Sequence, residues 1–244
     1  MEDQRFARTE MLLGDAGLAR LAASSVAVFG VGGVGSFTAE ALARAGVGSL
    51  TLIDHDTIDV TNINRQIHAL TETVGKAKTT VMAERIRAIN PHCEVREIRA
   101  FYLPEEADSF FETHYDYAVD AVDTVTAKVD LAVQCQVRNI PLIASMGAAN
   151  KLDPTLFEVM DIYLTKGDPL ARILRKKLKE RGVRRLTVVC SRERPKRPAA
   201  GICAPAPGRH LAPGSVSFVP PVAGMIMAGV VVRALTGAAV EVSS

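Results

Sequence analysis

The chain has 244 residues, 48% of them apolar, and a net charge of +2 at pH 7, which suits one α/β domain with an elaborated C-terminal part. Its four cysteines form no CxxC pair, so a disulfide framework or a four-cysteine zinc site is not expected, and a reducing cytoplasm fits. Charged residues among the first ten break up any apolar run of the kind a signal peptide requires.

The N-terminal part predicts strands and helices in alternation. An apolar run at 26–29 is typical of a buried parallel strand, residues 36–45 of a helix, and 50–54 of a second strand. The later predicted elements are a helix at 76–89, a strand at 95–100, a strand at 117–122, a helix at 127–138 and a strand at 141–145. This alternation predicts a Rossmann-like α/β fold with a doubly wound, mostly parallel sheet that binds ligands at the carboxyl ends of its strands.

The pattern changes after residue 150. The elements expected there are a strand-like stretch at 156–164, a basic helix at 168–181 and a Pro/Gly-rich, partly disordered loop at 190–214. We therefore divide the chain into residues 1–150 and a C-terminal extension of the same sheet, 151–244, within one structural domain.

The most apolar stretch, residues 222–232, is shorter than the ~20 residues that span a bilayer. We interpret it as a buried helix, with Pro220 and Pro221 at its start and Gly237 at its end. No membrane association is expected.

Four glycines stand between the first strand and the first helix. Gly30, Gly32, Gly33 and Gly35 form a GxGGxG pattern, whose missing side chains let backbone N–H groups approach a phosphate at the helix N-terminus. Asp54, at the end of the second strand, is placed to accept hydrogen bonds from ribose hydroxyls. At this point NAD and ATP fit equally well, and a tight turn without a ligand is the plain alternative.

The stretch that follows favours a triphosphate. Asn62 and Arg65 lie just beyond the ribose carboxylate, and an arginine offers a bidentate fork for phosphate oxygens. Lys78, near the start of the next predicted helix, adds a second cation. Dinucleotide pyrophosphates are commonly held by backbone amides alone, so two extra cations indicate ATP, although each cation alone would be interpreted as part of a surface ion pair.

Two aspartates end a central strand near the same crevice, Asp120 and Asp123. A carboxylate among cations that bind phosphates fits a magnesium ligand, because Mg²⁺ is usually held by one or two carboxylates together with phosphate oxygens. We predict Asp123 as that ligand. The alternative for Asp123 is a helix N-cap.

Positive charge is concentrated in one segment. Residues 166–209 hold fourteen Lys and Arg against three acidic residues. Such segregation usually marks a surface that faces a polyanion, and a solvated helix face is the alternative.

These motifs together resemble the adenylating domain shared by ubiquitin-activating enzymes and bacterial activators of sulfur-carrier proteins. The resemblance covers roughly residues 5–150 and rests on GxGGxG, "LID", "TNINRQ", "GKAK", "INP" and "DAVD". It implies that a substrate carboxylate attacks the α-phosphate of Mg²⁺-bound ATP, which gives an acyl adenylate and pyrophosphate.

The resemblance also implies roles for individual residues. The implied contacts are Gly33 to the nucleotide, Asp54 to the ribose, Arg65 and Lys78 to the phosphates, and Asp123 to magnesium. Arg8, in "RFARTEML", matches an arginine that in the family reaches the phosphates from the partner subunit, which implies a homodimer. The predicted catalytic residues are therefore Arg8, Arg65, Lys78 and Asp123.

Within this superfamily the chain departs from the sulfur-carrier activators, since it lacks their two CxxC pairs and a recognisable catalytic cysteine. It resembles instead the branch that acts on tRNA, the threonylcarbamoyladenosine dehydratases, in stretches such as "TNINRQIHAL", "IPLIASMGAANKLDPT" and "DPLARILRKKLKERGV". That likeness implies adenylation of the threonine carboxylate, ring closure with loss of AMP, and a net loss of water. Adenylation of a sulfur carrier's C-terminal glycine is the runner-up, and an NAD-binding module is the third hypothesis.

A tRNA substrate would require a cationic surface outside the nucleotide pocket. The candidates for tRNA contact are Arg172, Arg175, Lys176, Lys179, Arg184 and Arg185. Three residues after the last core strand are candidates for the base pocket: Met146, Asn150 and Lys151. Cys190 and Cys203 are interpreted as structural, while a redox or sulfur-transfer role, with a sulfur-transfer protein as partner, stays open.

Overall fold

The computed structural model describes residues 4–197 and 213–240. Its strands are β1 Ser25–Phe29, β2 Ser49–Ile53, β3 Glu94–Ile98, β4 Tyr117–Asp120, β5 Leu142–Ser145, β6 Phe157–Asp161 and β7 Thr187–Ser191. They form one seven-stranded sheet in the order β3-β2-β1-β4-β5-β7-β6, in which β6 alone runs antiparallel to its neighbour. The predicted class, a doubly wound and mostly parallel α/β sheet, is confirmed.

Seven α-helices accompany the sheet in the described residues. They are α1 Ala7–Ala23, α2 Gly35–Ala45, α3 Lys78–Ile89, α4 Ala107–Phe110, α5 Val125–Val137, α6 Pro169–Glu180 and α7 Val219–Thr236. The sequence did not predict α1 or β7. The expected loop from residue 190 was wrong at its first two residues, since Cys190 and Ser191 belong to β7. Most of the remaining loop lies outside the described residues.

Both faces of the sheet are buried, as parallel sheets require. Val26 and Val28 of β1 belong to the core cluster that includes residues of α2, α3 and α7. The alternate residues Ala27 and Phe29 belong to a second cluster with Ala127 of α5.

The switch point of the sheet lies between β1 and β4, because β2 and β4 flank β1 on opposite sides. Phe29, the last residue of β1, is in register with Ile53 of β2 and with Asp120 of β4. The turns that leave these three strands therefore meet at one edge of the sheet. This is where ligands bind in doubly wound folds.

Helix α7 is the buried helix predicted from the apolar stretch, with prolines in its first turn and Gly237 as a left-handed C-cap. It is 18 residues long and begins and ends where the prolines and Gly237 predict. By length and composition alone it could cross a membrane. Its packing identifies it as a core helix, since Met227 and Val231 are fully buried. Gly224 permits the close approach to α2, because a Cβ there would lie 2.3 Å from the Val34 carbonyl oxygen.

The chain after residue 150 continues the same sheet, because β7 pairs with β5 and β6 pairs with β7. Helix α6 covers this part with three buried residues at helical spacing, Ala171, Leu174 and Leu178. The opposite side of α6 carries its charged residues.

Candidate functional site

A cavity of about 380 Å³ opens at the switch point, where β1, β2 and β4 end. Eight residues predicted from the sequence line it: Gly30, Gly32, Gly33, Asp54, Asn62, Arg65, Lys78 and Asp123. Two others, Gly35 and Arg8, are not among its lining residues. The sequence therefore located one contiguous site from motifs nearly a hundred residues apart.

The glycine turn owes its shape to close backbone contacts. Gly30 has a φ of +86°, and a Cβ there would lie 2.7 Å from the Ala121 carbonyl oxygen in the turn after β4. A Cβ on Gly35 would lie 1.8 Å from the Gly30 carbonyl oxygen. Gly35 was predicted to bind the nucleotide, but it is buried as the first residue of α2, where its missing side chain permits the close approach of α2 to the turn after β1. Gly30, Gly32 and Gly33 are half-buried and border the cavity.

Asp54 is held in a fixed orientation at the cavity wall. Its Oδ2 accepts a hydrogen bond from Val31 N at 2.7 Å, and its Oδ1 accepts one from Asp56 N at 2.9 Å. Each carboxylate oxygen can accept a second hydrogen bond, so both keep capacity for a ligand hydroxyl. This geometry suits the predicted contact with a ribose.

Asn62 is the last residue of a short 3-10 turn that Asp59 caps through Thr61 N, and Arg65 follows this turn. The Asn62 Oδ1 accepts from Asp59 N at 3.1 Å, which leaves the side-chain NH₂ for a ligand. Arg65 Nη1 donates to the Thr61 carbonyl oxygen at 2.9 Å and to Asn64 Oδ1 at 2.8 Å.

Arg65 is a partly desolvated cation. Burial lowers the pKa of its guanidinium from the ordinary value. Among the described residues no carboxylate forms an ion pair with it, and its remaining guanidinium donors have no acceptor there. Such a group favours an anionic ligand, and a phosphate offers two oxygens in the matching geometry.

Lys78, the first residue of α3, is already paired with a carboxylate. Its Nζ lies 2.6 Å from Asp56 Oδ2, with the lysine side chain buried and the aspartate half-exposed. From the sequence, Lys78 was expected to be a free cation, and Asp56 was missed although it lies only two residues after Asp54. The side chains of Asp54, His55 and Asp56 lie close enough to share a metal ion, but the ammonium of Lys78 already occupies one carboxylate.

Asp123 projects from the turn after β4 as an exposed carboxylate at the cavity. The N-cap of α5 is Thr124, so the alternative interpretation of Asp123 as an N-cap is wrong. In the described part of the chain Asp123 has neither an ion pair nor a side-chain hydrogen bond. A free carboxylate that lines the same cavity as two cationic side chains fits the donor set of a magnesium site.

Asp120, three residues earlier, has a different environment. It is fully buried, and Lys128 Nζ lies 3.0 Å from its Oδ1 and 2.8 Å from the Ser145 carbonyl oxygen. Burial raises the pKa of Asp120, and the Lys128 ammonium opposes that shift. The pair joins β4, α5 and β5 beneath the cavity floor, and sequence reasoning missed Lys128.

None of the three candidates for a base pocket lines the cavity. Met146 and Lys151 are buried and do not border the cavity. Their neighbours Ala148 and Ala149 do. Asn150 faces a different segment.

Asn150 joins the loop after β5 to the segment that precedes α7. Its Oδ1 accepts from Gly214 N at 2.7 Å, and its backbone N donates to the Gly214 carbonyl oxygen at 2.8 Å. Pro213 and Ser215, on either side of Gly214, line the cavity. Asn150 therefore supports this wall from behind.

The predicted tRNA-contact residues lie on α6 and just after it. Arg175 differs from the others, because its Nη1 donates to the Thr165 carbonyl oxygen at 2.9 Å and the side chain is partly buried. The exposed members of the set are Arg172, Lys176, Lys179, Arg184 and Arg185. Arg185 Nε also lies 4.0 Å from Asp161 Oδ2, at the limit of an ion pair.

The described cysteines are buried. Desolvation raises the pKa of the Cys190 thiol to about 11, and that of Cys135 to about 12. A thiol in such a site is a poor nucleophile. Cys203 lies outside the described residues.

Arg8 is exposed on α1, away from the lining residues of its own chain's cavity. Helix α1 packs against α7, and Arg20 near its end donates to the Thr236 carbonyl oxygen at 2.5 Å. Arg8 therefore does not line the cavity of its own chain, and its contact with a ligand from a second copy stays a prediction.

The model of the ThiF family matches residues 6–244, which is nearly the whole chain. The chain belongs to the ThiF family. A tRNA threonylcarbamoyladenosine dehydratase from Bacillus subtilis is 47% identical over 239 residues, covering 95% of this chain and 94% of the relative. A molybdopterin-synthase adenylyltransferase from Haemophilus influenzae is 34% identical over 137 residues, covering 56% of this chain and 55% of the relative.

Solved structures of the same ThiF-family branch share the fold. The crystal structure of Escherichia coli tRNA N6-threonylcarbamoyladenosine dehydratase in complex with ATP has a TM-score of 0.87 and 38% identity. The match covers 96% of this chain and 94% of that one. The likeness therefore extends through the basic helix α6 to α7, beyond the nucleotide-binding part.

Proposed function

We propose that this ThiF-family protein is an ATP-dependent tRNA threonylcarbamoyladenosine dehydratase. The observation that carries the proposal is the nearly full-length likeness to such a dehydratase, which covers 95% of this chain, against 56% for a molybdopterin-synthase adenylyltransferase. The cavity supports it with a desolvated arginine, a buried lysine and a free carboxylate. The substrate is a tRNA that carries threonylcarbamoyladenosine.

The reaction has two steps. An oxygen of the threonine carboxylate attacks the α-phosphorus of ATP, the bond to the β-phosphate breaks, and pyrophosphate leaves. A nucleophilic atom of the neighbouring carbamoyl group then attacks the activated carbonyl carbon, and AMP leaves with the carboxylate oxygen. Ring closure with loss of that oxygen and two protons is the net dehydration.

The chain's own residues bind and orient the nucleotide. Asp54 accepts from the ribose hydroxyls, and the backbone of Gly32 and Gly33 approaches the phosphates. Arg65 and Lys78 neutralise the charge that builds on the phosphate oxygens during attack. Lys78 can do so only by sharing its ammonium between Asp56 and the phosphates.

The proposed reaction also requires a magnesium ion at the phosphates. Asp123 would hold the ion, which supplies charge neutralisation at the phosphates and orients the pyrophosphate as a leaving group. The carboxylate is exposed and unpaired among the described residues, so it needs no rearrangement to bind.

The proposed assembly is a cytoplasmic homodimer in which Arg8 of one subunit serves the cavity of the other. The exposed cations of α6 form the proposed tRNA surface, since its phosphates require positive charge outside the cavity. A sulfur-transfer partner gains no support from Cys190, which is buried.

The assay for this proposal uses purified protein with ATP, Mg²⁺ and modified tRNA. We expect AMP release and a decrease of the nucleoside mass by one water. A sulfur-carrier activator would instead show ATP–pyrophosphate exchange that depends on a carrier protein and not on tRNA. No mass change in a protein that binds ATP would refute the proposal.

A further inference from the structure

The loop after β5 contacts both proposed binding regions. Ala148 and Ala149 line the cavity, and Lys151 follows two residues later with a fully buried side chain. Lys151 Nζ lies 3.1 Å from Asp168 Oδ2. Asp168 stands immediately before α6, and its Oδ1 accepts from Ala171 N at 2.8 Å as the N-cap. Asp168 therefore caps the basic helix α6 and also binds it, through the ion pair with Lys151, to the loop after β5.

Both side chains of the Lys151–Asp168 ion pair are removed from solvent. The side chains of Lys151 and Asp168 are 0% and 1% exposed. The lysine also donates to the Gly147 carbonyl oxygen, so two acceptors hold the ammonium. A buried ion pair of this kind has a defined geometry, whereas exposed pairs move freely and contribute little.

Helix α6, which follows Asp168, carries exposed cations. Arg172, Lys176 and Lys179 follow Asp168 along α6, while Leu174 and Leu178 hold the opposite side of the helix in the core. A helix fixed at its first turn and along one face cannot shift independently of that turn. The position of its cations relative to Ala148 and Ala149 therefore depends on the Lys151–Asp168 pair.

We propose that Lys151 and Asp168 are positioning residues that set the distance between a tRNA bound on α6 and the nucleotide in the cavity. This inference rests on the proposed function. The threonine carboxylate has to reach the α-phosphorus while the tRNA phosphates stay on the helix. A misplacement of about 1 Å in such an arrangement costs on the order of 100-fold in rate.

The test removes the pair without leaving a buried charge. In Lys151→Met with Asp168→Asn, the asparagine oxygen can still accept from Ala171 N, so the helix keeps its cap. We expect kcat of dehydration, at saturating ATP and tRNA, to fall roughly 10- to 100-fold. The Kd values for ATP and for tRNA should stay within about twofold of wild type, since neither contact surface changes.

The control removes an exposed ion pair at the opposite edge of the sheet. Arg87 and Glu97 form a pair at 3.2 Å beside β3. Arg87→Met with Glu97→Gln should retain the wild-type kcat.

A second variant keeps both charges and shifts them. A Cβ on Gly147 would lie 3.3 Å from Asp168 Oδ2, so Gly147→Ala should displace the carboxylate by a few tenths of an ångström. We expect a smaller decrease of kcat, again with unchanged Kd values. If the double variant does not fold, Gly147→Ala alone tests whether the Lys151–Asp168 pair positions the helix.

Two outcomes would overturn the inference while the wild type is active. One is wild-type kcat in the folded variants. The other is a loss of kcat together with an equal loss of affinity for ATP or for tRNA. That result would mean that the pair maintains one of the two binding sites and does not set the distance between them. A wild type that binds ATP and tRNA but performs no dehydration would refute the proposed function itself.

Discussion

Lys78 Nζ lies 2.6 Å from the Asp56 carboxylate, at the border of the cavity. The cation that the sequence assigned to a phosphate is thus held by a neighbouring carboxylate. The aspartate fixes the lysine in place, and it also competes with an anionic ligand for the ammonium.

Asp56→Asn should therefore strengthen ATP binding. Removal of the half-exposed carboxylate releases Lys78 and lowers the local negative charge, so we expect Kd to fall about two- to fivefold, the size of a partly exposed ion pair. Isothermal titration calorimetry measures this change, with Glu72→Gln as a charge-matched control outside the cavity. Weaker binding by Asp56→Asn would show that Asp56 is itself needed by the ligand.

Asp123→Asn should abolish adenylation and leave the fold intact. The loss of a magnesium ligand removes charge stabilisation at the phosphates, and we expect a decrease of at least about 100-fold in AMP formation. Because Asp123 is exposed and caps no helix, Tm should equal that of wild type. A lower Tm with retained activity would identify a structural role instead.

Arg8 should act across the subunit interface. Arg8→Ala and Arg65→Ala are each expected to be inactive alone, whereas an equimolar mixture that exchanges subunits should recover about a quarter of wild-type activity. That fraction follows because half of the dimers are mixed and each has one intact site. An inactive mixture, with subunit exchange verified by mass spectrometry, would contradict a role in trans.

The exposed cations of α6 should determine the salt dependence of tRNA binding. Charge reversal at Arg172, Lys176 and Lys179 should weaken binding and make the slope of log K against log salt shallower by about two to three units. Arg175→Ala is the matched control, because Arg175 donates to Thr165 and should leave the slope unchanged. Filter binding over a salt series measures both slopes, and an equal slope in the triple variant would exclude this surface.

Cys190 should be unreactive in the folded protein. Its thiol is buried and its pKa is raised to about 11, so thiolate is scarce at pH 8. In a Cys203→Ser background we expect alkylation by iodoacetamide only after unfolding, and unchanged dehydration activity. Rapid modification of Cys190 in the native state would restore a redox or sulfur-transfer role.

The cavity could be predicted because its signals are local. A glycine turn after an apolar strand, and an aspartate at the end of the next strand, each depend on a few neighbouring residues, and the parallel sheet brings them to one edge. Gly35 belongs to the same pattern, but it permits the close approach of α2 to the turn after β1 and does not line the cavity. The pattern alone does not separate a ligand contact from a close backbone approach.

The ion pairs could not be predicted, because their partners are distant in the chain. Asp56 and Lys78 are 22 residues apart, and Lys151 and Asp168 are 17 apart. Lys151 was expected in a base pocket because it follows a core strand, yet its burial depends on where α6 packs. Arg175 was grouped with its basic neighbours, and only the position of Thr165 turns it inward.

The fate of the carboxylate oxygen tests the central claim most directly. Modified tRNA whose threonine carboxylate carries ¹⁸O is incubated with ATP, Mg²⁺ and the protein, and the released nucleotides are examined by mass spectrometry. Attack on the α-phosphorus predicts one ¹⁸O atom in AMP and none in inorganic phosphate. Unlabelled AMP, or ADP together with labelled phosphate, would contradict adenylation as the activating step.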